Sequence, residues 1–428
     1  MAQAQKLITF SYLLILLLLT PACLGSSSRS SSSSRSNTAS PILLPPPTGP
    51  HPIGLTHIEL VDPPSRSDPH ASPRALMLSV YYPTTTTTSP DPNSSSSSPP
   101  STILLAPRLA PQFGPLTAPH IDALLSLAPG TSARLTTRAH LDARFSPPPP
   151  PPRNGSQAAA PLLLFSPGLG LARGLYSALL SALAARGWVV VALDHPGDAA
   201  AVEHPDGTVA LPRAGWDAWP LGRAARDAAL RARGRDLRVV GEWALGGGLG
   251  KLLGEGEGGR CVVVVAEEEE GGRRGGARLG VFGHSFGGAA AVQMLSGEGV
   301  AAAAAADLDG YLYGPVVRDG THKPVLVLGF PEHYATDDPD AAPGWPALRG
   351  WRRDYTVAGA VHESFSDYPL LADLLGEEAV GAVGGTRMLQ IMETYVDAFF
   401  RKFLLGVDDE GLLGGNCSAF PELSLRRS

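Results

Sequence analysis

Residues Gly283–Gly288 read GHSFGG and place a serine, Ser285, between two glycines. The apolar run Arg278–Phe282 before them is typical of a short strand, and Gly287–Leu295 after them is typical of a helix. The Gly-x-Ser-x-Gly pattern alone is weak evidence. A strand, a sharp turn and a helix around it are, however, the setting of a nucleophile elbow, where the serine stands at the carboxyl edge of a sheet. The sequence therefore predicts that Ser285 is a nucleophile.

Predicted strands and helices alternate on both sides of this motif. The runs predicted as strands are Leu76–Tyr82, Leu162–Ser166, Trp188–Leu193, Ala301–Leu308, Lys323–Phe330 and Tyr355–Val361. The other predicted helices are Tyr176–Ala185, Ala224–Leu245 and Thr386–Leu405. Apolar strands that alternate with helices indicate a mainly parallel sheet with helices on both faces. Together with the serine elbow, this pattern predicts an α/β fold of the α/β-hydrolase type.

A nucleophilic serine needs a base, which in this fold follows both the serine and an orienting acid. The histidines downstream of Ser285 are His322, His333 and His362. His362 directly follows the predicted strand Tyr355–Val361, whereas His322 precedes a strand and His333 lies in a polar loop. We therefore predict His362 as the base, with a surface histidine as the alternative.

The acid is predicted at the end of the Ala-rich strand, where Asp309 stands before a glycine. Asp307 lies one step inside the strand, where an unpaired carboxylate would be costly. Asp337 and Asp338 lie in a loop rich in Asp and Pro that is typical of solvated surface. Asp309 is therefore the candidate that orients His362.

Backbone donors for a developing oxyanion are expected at two places. The amide after the nucleophile, that of Phe286, is the first. The second is expected in Pro161–Gly170, PLLLFSPGLG, where a strand breaks into a glycine-rich turn before a helix.

Motifs spread over residues 160 to 405 resemble the platelet-activating factor acetylhydrolase family, especially its secreted branch and fungal homologues. The motifs that carry the resemblance are FSPGLG at 165–170 with Tyr176, DHP at 194–196, GHSFGG at 283–288, LDG at 308–310 and VHESFSD at 361–367. A looser resemblance covers His51–Pro83.

The resemblance implies Ser285 as nucleophile, Asp309 as acid and His362 as base, with the amides of Leu169 and Phe286 as oxyanion donors. It also implies calcium-independent hydrolysis of short acyl chains from the sn-2 position of phospholipids. The sequence departs from the family pattern at two positions, which leaves the preference for acyl chain and headgroup open. Pro167 stands where many members have His, and Gly310 stands where animal members have a larger residue.

The first 25 residues are predicted to be a secretory signal peptide. Lys6 precedes a short apolar stretch that is densest over Leu13–Leu19, and small residues follow up to Gly25. An uncleaved anchor is the alternative. The sequons at Asn93, Asn154 and Asn416 fit a secreted glycoprotein. Whether Cys261 and Cys417 pair stays open.

After a Ser/Pro-rich linker at 26–49, the sequence predicts one catalytic domain over 50–428. Low-complexity insertions are expected near 84–100, 147–156 and 246–276, because these tracts are poor in side chains that could build a core. The last tract could also be an error in the gene model.

Composition limits the partners. A net charge of −6 without a basic block argues against nucleic acid. No zinc-ligand spacing and no phosphate-loop or dinucleotide motif is found, so neither a metal nor another cofactor is expected. A phospholipid or short-chain ester is the expected substrate. A lipid surface is a further candidate contact, for which Trp216 and Trp219 could serve as anchors; a core role for them is an equal alternative.

The sequence leaves two other functions open. A general carboxylesterase, lipase or polyester hydrolase would use the same triad. A non-catalytic binding protein of this fold is the alternative from another class, although such proteins usually lose a triad residue and here each position is filled.

Overall fold

The computed structural model describes residues 40–62, 73–85, 108–146, 161–213, 221–254, 261–264, 279–296, 302–332 and 344–428. Several features discussed above lie outside the described residues: the signal peptide, most of the low-complexity tracts, His333, Asp337, Asp338, Asn93, Asn154, Trp216, Trp219 and the side chain of Cys261.

The strands are distributed over the whole described chain. They are β1 Ile42–Leu43, β2 Ile53–Asp62, β3 Arg74–Pro83, β4 Leu109–Pro111, β5 Leu135–Leu141, β6 Leu162–Ser166, β7 Val189–Leu193, β8 Val202–Glu203, β9 Val209–Ala210, β10 Cys261–Val264, β11 Leu279–His284, β12 Ala304–Leu308, β13 Val325–Gly329, β14 Arg352–Val357 and β15 Leu423–Arg427.

Helices follow most of the strands in the second half of the chain. They are α1 Ala118–Leu124, α2 Ser177–Ala185, α3 Arg223–Leu245, α4 Gly248–Gly254, α5 Phe286–Gln293, α6 Pro315–Asp319, α7 Gly344–Ala347, α8 Tyr368–Leu375 and α9 Gly385–Phe400. Short 3-10 turns cover Ser132–Arg134, Arg173–Tyr176, His362–Phe365 and Leu412–Gly414, and a π turn covers Arg401–Leu405.

One large sheet has the strand order β1-β5-β2-β3-β7-β6-β11-β12-β13-β14-β15. Neighbours from β7 to β14 are all parallel. The pairs β2–β3, β3–β7 and β14–β15 are antiparallel. β10 adds to β2 and β4 adds to β5, while β8 and β9 form a separate ribbon. The predicted α/β-hydrolase fold with a mainly parallel sheet is confirmed.

Both faces of the central sheet are buried. On β6, Leu163 and Phe165 point into a cluster with side chains of α2 and α9, while Leu162 and Leu164 point into a second cluster with α3 and α5. This alternation is the period of two expected for a strand. Each fully buried aliphatic side chain contributes about 2 kcal/mol. Continuous apolar runs such as LLLF are therefore stable only in a doubly covered strand.

The last parallel strand begins earlier than predicted. The sequence indicated Tyr355–Val361, but the strand runs over Arg352–Val357. Its polar beginning is paired with the C-terminal strand, where Oδ2 of the buried Asp354 carboxylate accepts hydrogen bonds from Arg427 at 2.6 and 2.8 Å. Its end is set by a turn in which Gly359 has a φ of +79°.

Regular structure also occurs where low complexity was predicted. The 246–276 tract contains α4 and β10, and β10 pairs with β2 in parallel. Inside the predicted linker 26–49, β1 pairs with β5. Among the described residues, no helix is both long and apolar enough to cross a membrane.

Candidate active site

Ser285 occupies a one-residue turn between β11 and α5. Its φ of +57° and ψ of −125° lie in a region that non-glycine residues rarely adopt and that recurs at functional sites. Two backbone hydrogen bonds hold it there: the Ser285 N–H donates to the Leu308 carbonyl at 2.8 Å, and the Ala289 N–H donates to the Ser285 carbonyl at 3.1 Å. The predicted strand–turn–helix is therefore present, with the helix beginning at Phe286.

The glycines of the motif allow the backbones to approach closely. A Cβ on Gly287 would lie 2.0 Å from the carbonyl oxygen of Ser166, and one on Gly283 would lie 2.4 Å from the Gly287 carbonyl carbon. Such distances are far inside van der Waals contact, so both positions require glycine. The turn after β6 is thereby held against the serine elbow.

His362 bridges the serine and the predicted acid. It begins the 3-10 turn after β14, and its Nε2 lies 2.9 Å from Ser285 Oγ. Its Nδ1 lies 2.5 Å from Asp309 Oδ2. Because a carboxylate only accepts, Nδ1 carries the proton and Nε2 is left to accept the serine hydroxyl proton. The structure thus brings together Ser285, His362 and Asp309.

Asp309 is fixed by the neighbouring strand. It follows β12 with a φ of +57°, is 1% exposed, and its N–H donates to the Leu328 carbonyl at 2.7 Å. Its Oδ1 accepts the Phe330 N–H at 3.0 Å, so Oδ2 is directed at His362. Asp309, which follows β12, therefore reaches a histidine that follows β14, two strands further along the sheet.

The other described candidates lie elsewhere. Asp307 is fully buried within β12, and its Oδ1 accepts the Gly310 N–H at 2.8 Å, which shapes the turn that carries Asp309. His322 is exposed and precedes β13, at the opposite edge of the sheet from Ser285.

The environment of His362 favours its protonated form. Burial alone would lower the pKa of the imidazole, but the hydrogen bond and negative charge of Asp309 outweigh it and raise the pKa above its ordinary value. The side chain is 40% exposed, so the ring is also open to solvent. His362 is therefore suited to accept and return a proton.

His284, within the serine motif, has the opposite character. Burial and the nearby His362 lower its pKa to about 3, so it stays neutral. Its Nε2–H donates to the carbonyl of His362 at 3.0 Å. Its Nδ1 accepts the Tyr176 hydroxyl at 2.8 Å, and the same hydroxyl accepts the Gly168 N–H at 3.0 Å. One hydrogen-bonded chain thus joins the base loop to the glycine-rich turn.

The two predicted oxyanion donors come from adjacent segments. Leu169 follows β6, whose last residue, Ser166, pairs with Gly283 of β11, and Phe286 directly follows Ser285. Both amides therefore belong to backbone at the carboxyl edge of the same strand pair. Gly170, with a φ of +72°, turns the chain immediately after Leu169.

Sequence reasoning missed a buried polar network beneath this turn. Ser166 Oγ lies 2.9 Å from His195 Nε2, and His195 Nδ1 lies 2.8 Å from Asp236 Oδ2. Arg233 of α3 is 1% exposed and contacts the same turn. The available signal was the position of Arg233 and Asp236 on the apolar stripe of a predicted helix, where charged side chains are expected only if they are paired.

A second missed residue is Asp367, at the end of the base loop. It is buried, and burial raises the pKa of its carboxyl to about 7. It accepts the Ala178 N–H and the Gln112 Nε2–H, each at 3.1 Å. The loop that begins with His362 is therefore anchored to the first turn of α2.

Comparisons with known proteins identify similar acetylhydrolases and esterases. The family model described as platelet-activating factor acetylhydrolase, isoform II, matches residues 149–205 and 274–408. A probable 1-alkyl-2-acetylglycerophosphocholine esterase of Arthroderma benhamiae is 26% identical over 89% of this chain and 92% of its own length. A platelet-activating factor acetylhydrolase of Cavia porcellus is 25% identical over 58% of each chain. A solved ferulic acid esterase from Streptomyces cinnamoneus has a TM-score of 0.64 and 27% identity, covering 90% of this chain and 99% of its own.

Fold and comparisons together define a carboxylic ester hydrolase with the α/β-hydrolase fold. Within that class, the matching family model and the two curated relatives confirm the resemblance to the platelet-activating factor acetylhydrolase family that the motifs indicated.

The Tyr176 hydroxyl joins the glycine-rich turn to His284, and a single substitution removes it. In Tyr176→Phe, the Gly168 N–H and His284 Nδ1 both lose their partner inside the protein, and each buried unsatisfied group costs about 1–3 kcal/mol. We expect urea unfolding to show a loss of at least about 2 kcal/mol. The matched control is Tyr81→Phe, since Tyr81 is equally buried and its hydroxyl bonds only to Ser177 Oγ, which keeps its own bond to the Gly174 carbonyl. Equal losses in the two variants would contradict the bridging role.

Proposed function

We propose that this protein is a secreted serine esterase that hydrolyses the short sn-2 acyl ester of platelet-activating-factor-like phospholipids. The observation that carries the proposal is the continuous pair of hydrogen bonds from Ser285 Oγ through His362 to Asp309. The family model and the Arthroderma and Cavia relatives support the substrate class, since their names specify this ester.

The proposed reaction follows from the geometry. His362 Nε2 takes the proton of Ser285 while Oγ attacks the ester carbonyl carbon, and the carbonyl electron pair moves onto oxygen. The amides of Leu169 and Phe286 stabilise this oxyanion. Collapse expels the alcohol, which takes the proton from His362, and leaves an acyl-enzyme. Water then attacks the acyl-enzyme by the same route and releases the acid.

A second candidate is a carboxylesterase that acts on aryl or hydroxycinnamoyl esters. The observation that favours it is the likeness to the ferulic acid esterase, which extends over 99% of that chain. The same triad would serve both substrate classes, so the acyl and alcohol groups distinguish them and the mechanism does not.

Covalent labelling tests the nucleophile. We expect an organophosphonate to modify Ser285, because that reagent needs an activated serine beside oxyanion donors. Peptide mapping by mass spectrometry should place the adduct on Ser285, and Ser285→Ala should fold normally but take up none. Ser79→Ala is a matched control that should still be labelled, since Ser79 also contacts a histidine, His57, but is buried elsewhere in the sheet. An adduct on a different serine would refute the assignment.

The acid and the base are tested together by pH profiles. His362 must be neutral to accept a proton, so activity is lost as pH falls through its raised pKa, and we expect the acid limb of kcat/KM above pH 6.5. Asp309→Asn removes the group that raises this pKa. The limb should therefore shift to lower pH, and kcat should fall about 10⁴-fold as in serine proteases.

Asp307→Asn is the control for the acid, because Asp307 shapes the same turn by accepting the Gly310 N–H, whereas Asp309 lies against His362 Nδ1. It should reduce stability more than turnover. If Asp309→Asn kept near-normal turnover while folded Asp307→Asn was inactive, the acid would be misassigned.

The acyl preference separates the two candidate functions. We expect kcat/KM on phosphatidylcholines to fall steeply as the sn-2 chain lengthens from acetyl. The motivation is the similarity to the platelet-activating factor acetylhydrolase family. A profile that is flat or rises toward long chains would favour a lipase. Faster turnover of methyl ferulate than of the acetyl phospholipid would favour the carboxylesterase.

Secretion rests on the amino-terminal sequence and on the family's secreted forms. We expect the full chain, expressed in a eukaryotic secretory host, to appear in the medium with a new amino terminus near Gly25. Amino-terminal sequencing measures this directly. A product that retains Met1 and stays with the cells would contradict it.

A further inference from the structure

Arg233 is a charged side chain in a core position. It lies on the buried stripe of α3 with Leu230 and Leu237, and it is 1% exposed. Burying a guanidinium is costly unless every part of it is paired. Its partners should therefore reveal why the position is not a leucine.

The guanidinium binds one carboxylate and two backbone carbonyls. Its Nε and Nη2 donate to the two oxygens of Asp198 at 2.6 and 2.5 Å. Nη1 donates to the Pro167 carbonyl at 2.5 Å, and Nη2 donates to the Gly168 carbonyl at 3.2 Å. The Cζ atom of the guanidinium also lies 5.1 Å from the ring centre of Phe286. Arg233 therefore contacts the segments that supply both proposed oxyanion donors.

The geometry of the peptide bond shows in which direction the Leu169 N–H points. In a planar trans peptide, the N–H points opposite to the C=O. The Pro167–Gly168 peptide shows this: its carbonyl accepts from Arg233, and its N–H donates to Tyr176 on the opposite side, the side of His284. The Gly168 carbonyl is held by the same guanidinium. The N–H of Leu169, on the opposite side of that peptide, is therefore turned toward the base loop that begins with His362.

We propose that Arg233 is a positioning residue for the oxyanion hole. By holding the carbonyls of Pro167 and Gly168, it keeps the Leu169 amide aimed at the oxygen that becomes negative when Ser285 Oγ bonds to the ester carbon. Gly168 has no side chain to restrict its backbone, so the Gly168–Leu169 peptide needs such an external anchor. This inference rests on the proposed serine-esterase function.

The residue before this turn is anchored by a second chain of hydrogen bonds. The Ser166 hydroxyl donates to His195 Nε2, and His195 Nδ1–H donates to Asp236, which is in turn paired with Arg74. Burial and the adjacent Arg233 lower the pKa of His195, so the imidazole remains neutral. The arrangement resembles a triad but is fully buried, which is consistent with an anchoring role.

The test compares three variants. Arg233→Met keeps the length of the side chain and removes the donors. Asp198→Asn/Arg233→Met also removes the carboxylate that would otherwise be buried without its partner, so it separates folding from positioning. Arg186→Met is the matched control, because Arg186 is also paired with carboxylates, those of Glu393 and Asp397, but packs against α9 away from the site.

Loss of one aimed donor costs about 10²- to 10³-fold in kcat, and a donor that is present but misdirected should cost less. We expect kcat on a short-chain nitrophenyl ester to fall about 10- to 100-fold in both Arg233 variants, with KM changed less than about threefold. The inhibition constant of a boronic acid, whose tetrahedral adduct places an oxygen in the same hole, should rise by the same factor. The acid limb of the pH profile should not move, because the Asp309–His362 pair is untouched. Arg186→Met should change stability only.

Normal kcat and boronate affinity in the folded double variant would overturn the inference, and so would a kcat loss with unchanged boronate affinity. If neither Met variant folds, Arg233→Lys decides: its single ammonium cannot hold Asp198 and both carbonyls, so kcat and boronate affinity should fall together by a smaller factor. Wild-type values of both would then refute the inference. Failure of the serine-esterase proposal is recognised separately, by a wild-type protein that takes up no phosphonate at Ser285.

Discussion

The close approach of the Ser166 carbonyl to Gly287 is the contact on which the site depends. It lies directly beside the passage from β11 into α5, which takes a single residue, Ser285, with a φ of +57°. Ser166 is also the last residue of β6, so the same contact places the glycine-rich turn after β6 beside the serine. This backbone contact, which any side chain at Gly287 would prevent, therefore brings the proposed nucleophile and a proposed oxyanion donor close together.

The parallel order of the strands places the other two groups. β11, β12, β13 and β14 are consecutive neighbours, and parallel strands end at the same edge of a sheet. Asp309 follows β12 and His362 follows β14, so both emerge at the edge where Ser285 stands. β13 lies between them and carries no group of the triad, but backbone at its end and just beyond it bonds to Asp309.

The elbow, the mainly parallel sheet and the choice of the three candidate site residues were predictable because each rests on local pattern. A serine between glycines, a histidine after an apolar run and an aspartate before a glycine are visible without tertiary structure. The beginning of β14 was not, since Asp354 looks like a loop residue until Arg427, on the antiparallel edge strand, is seen to pair with it. The role of Arg233 was also hidden. Its position on the apolar stripe indicates that it must be paired, but its partner Asp198 belongs to a different segment and cannot be found from the helix itself.

Three histidines around the site show how the surroundings decide which of them can change charge. His195 touches Asp236, yet burial and the positive charge of Arg233 lower its pKa. His284 is buried against the base loop, and its pKa falls to about 3. Only His362, whose ring is open to solvent and bonded to Asp309, has a raised pKa. The two neutral imidazoles can therefore hold fixed tautomers and transmit hydrogen bonds, which is consistent with the proposal that the histidine in contact with Ser285 transfers the proton during turnover.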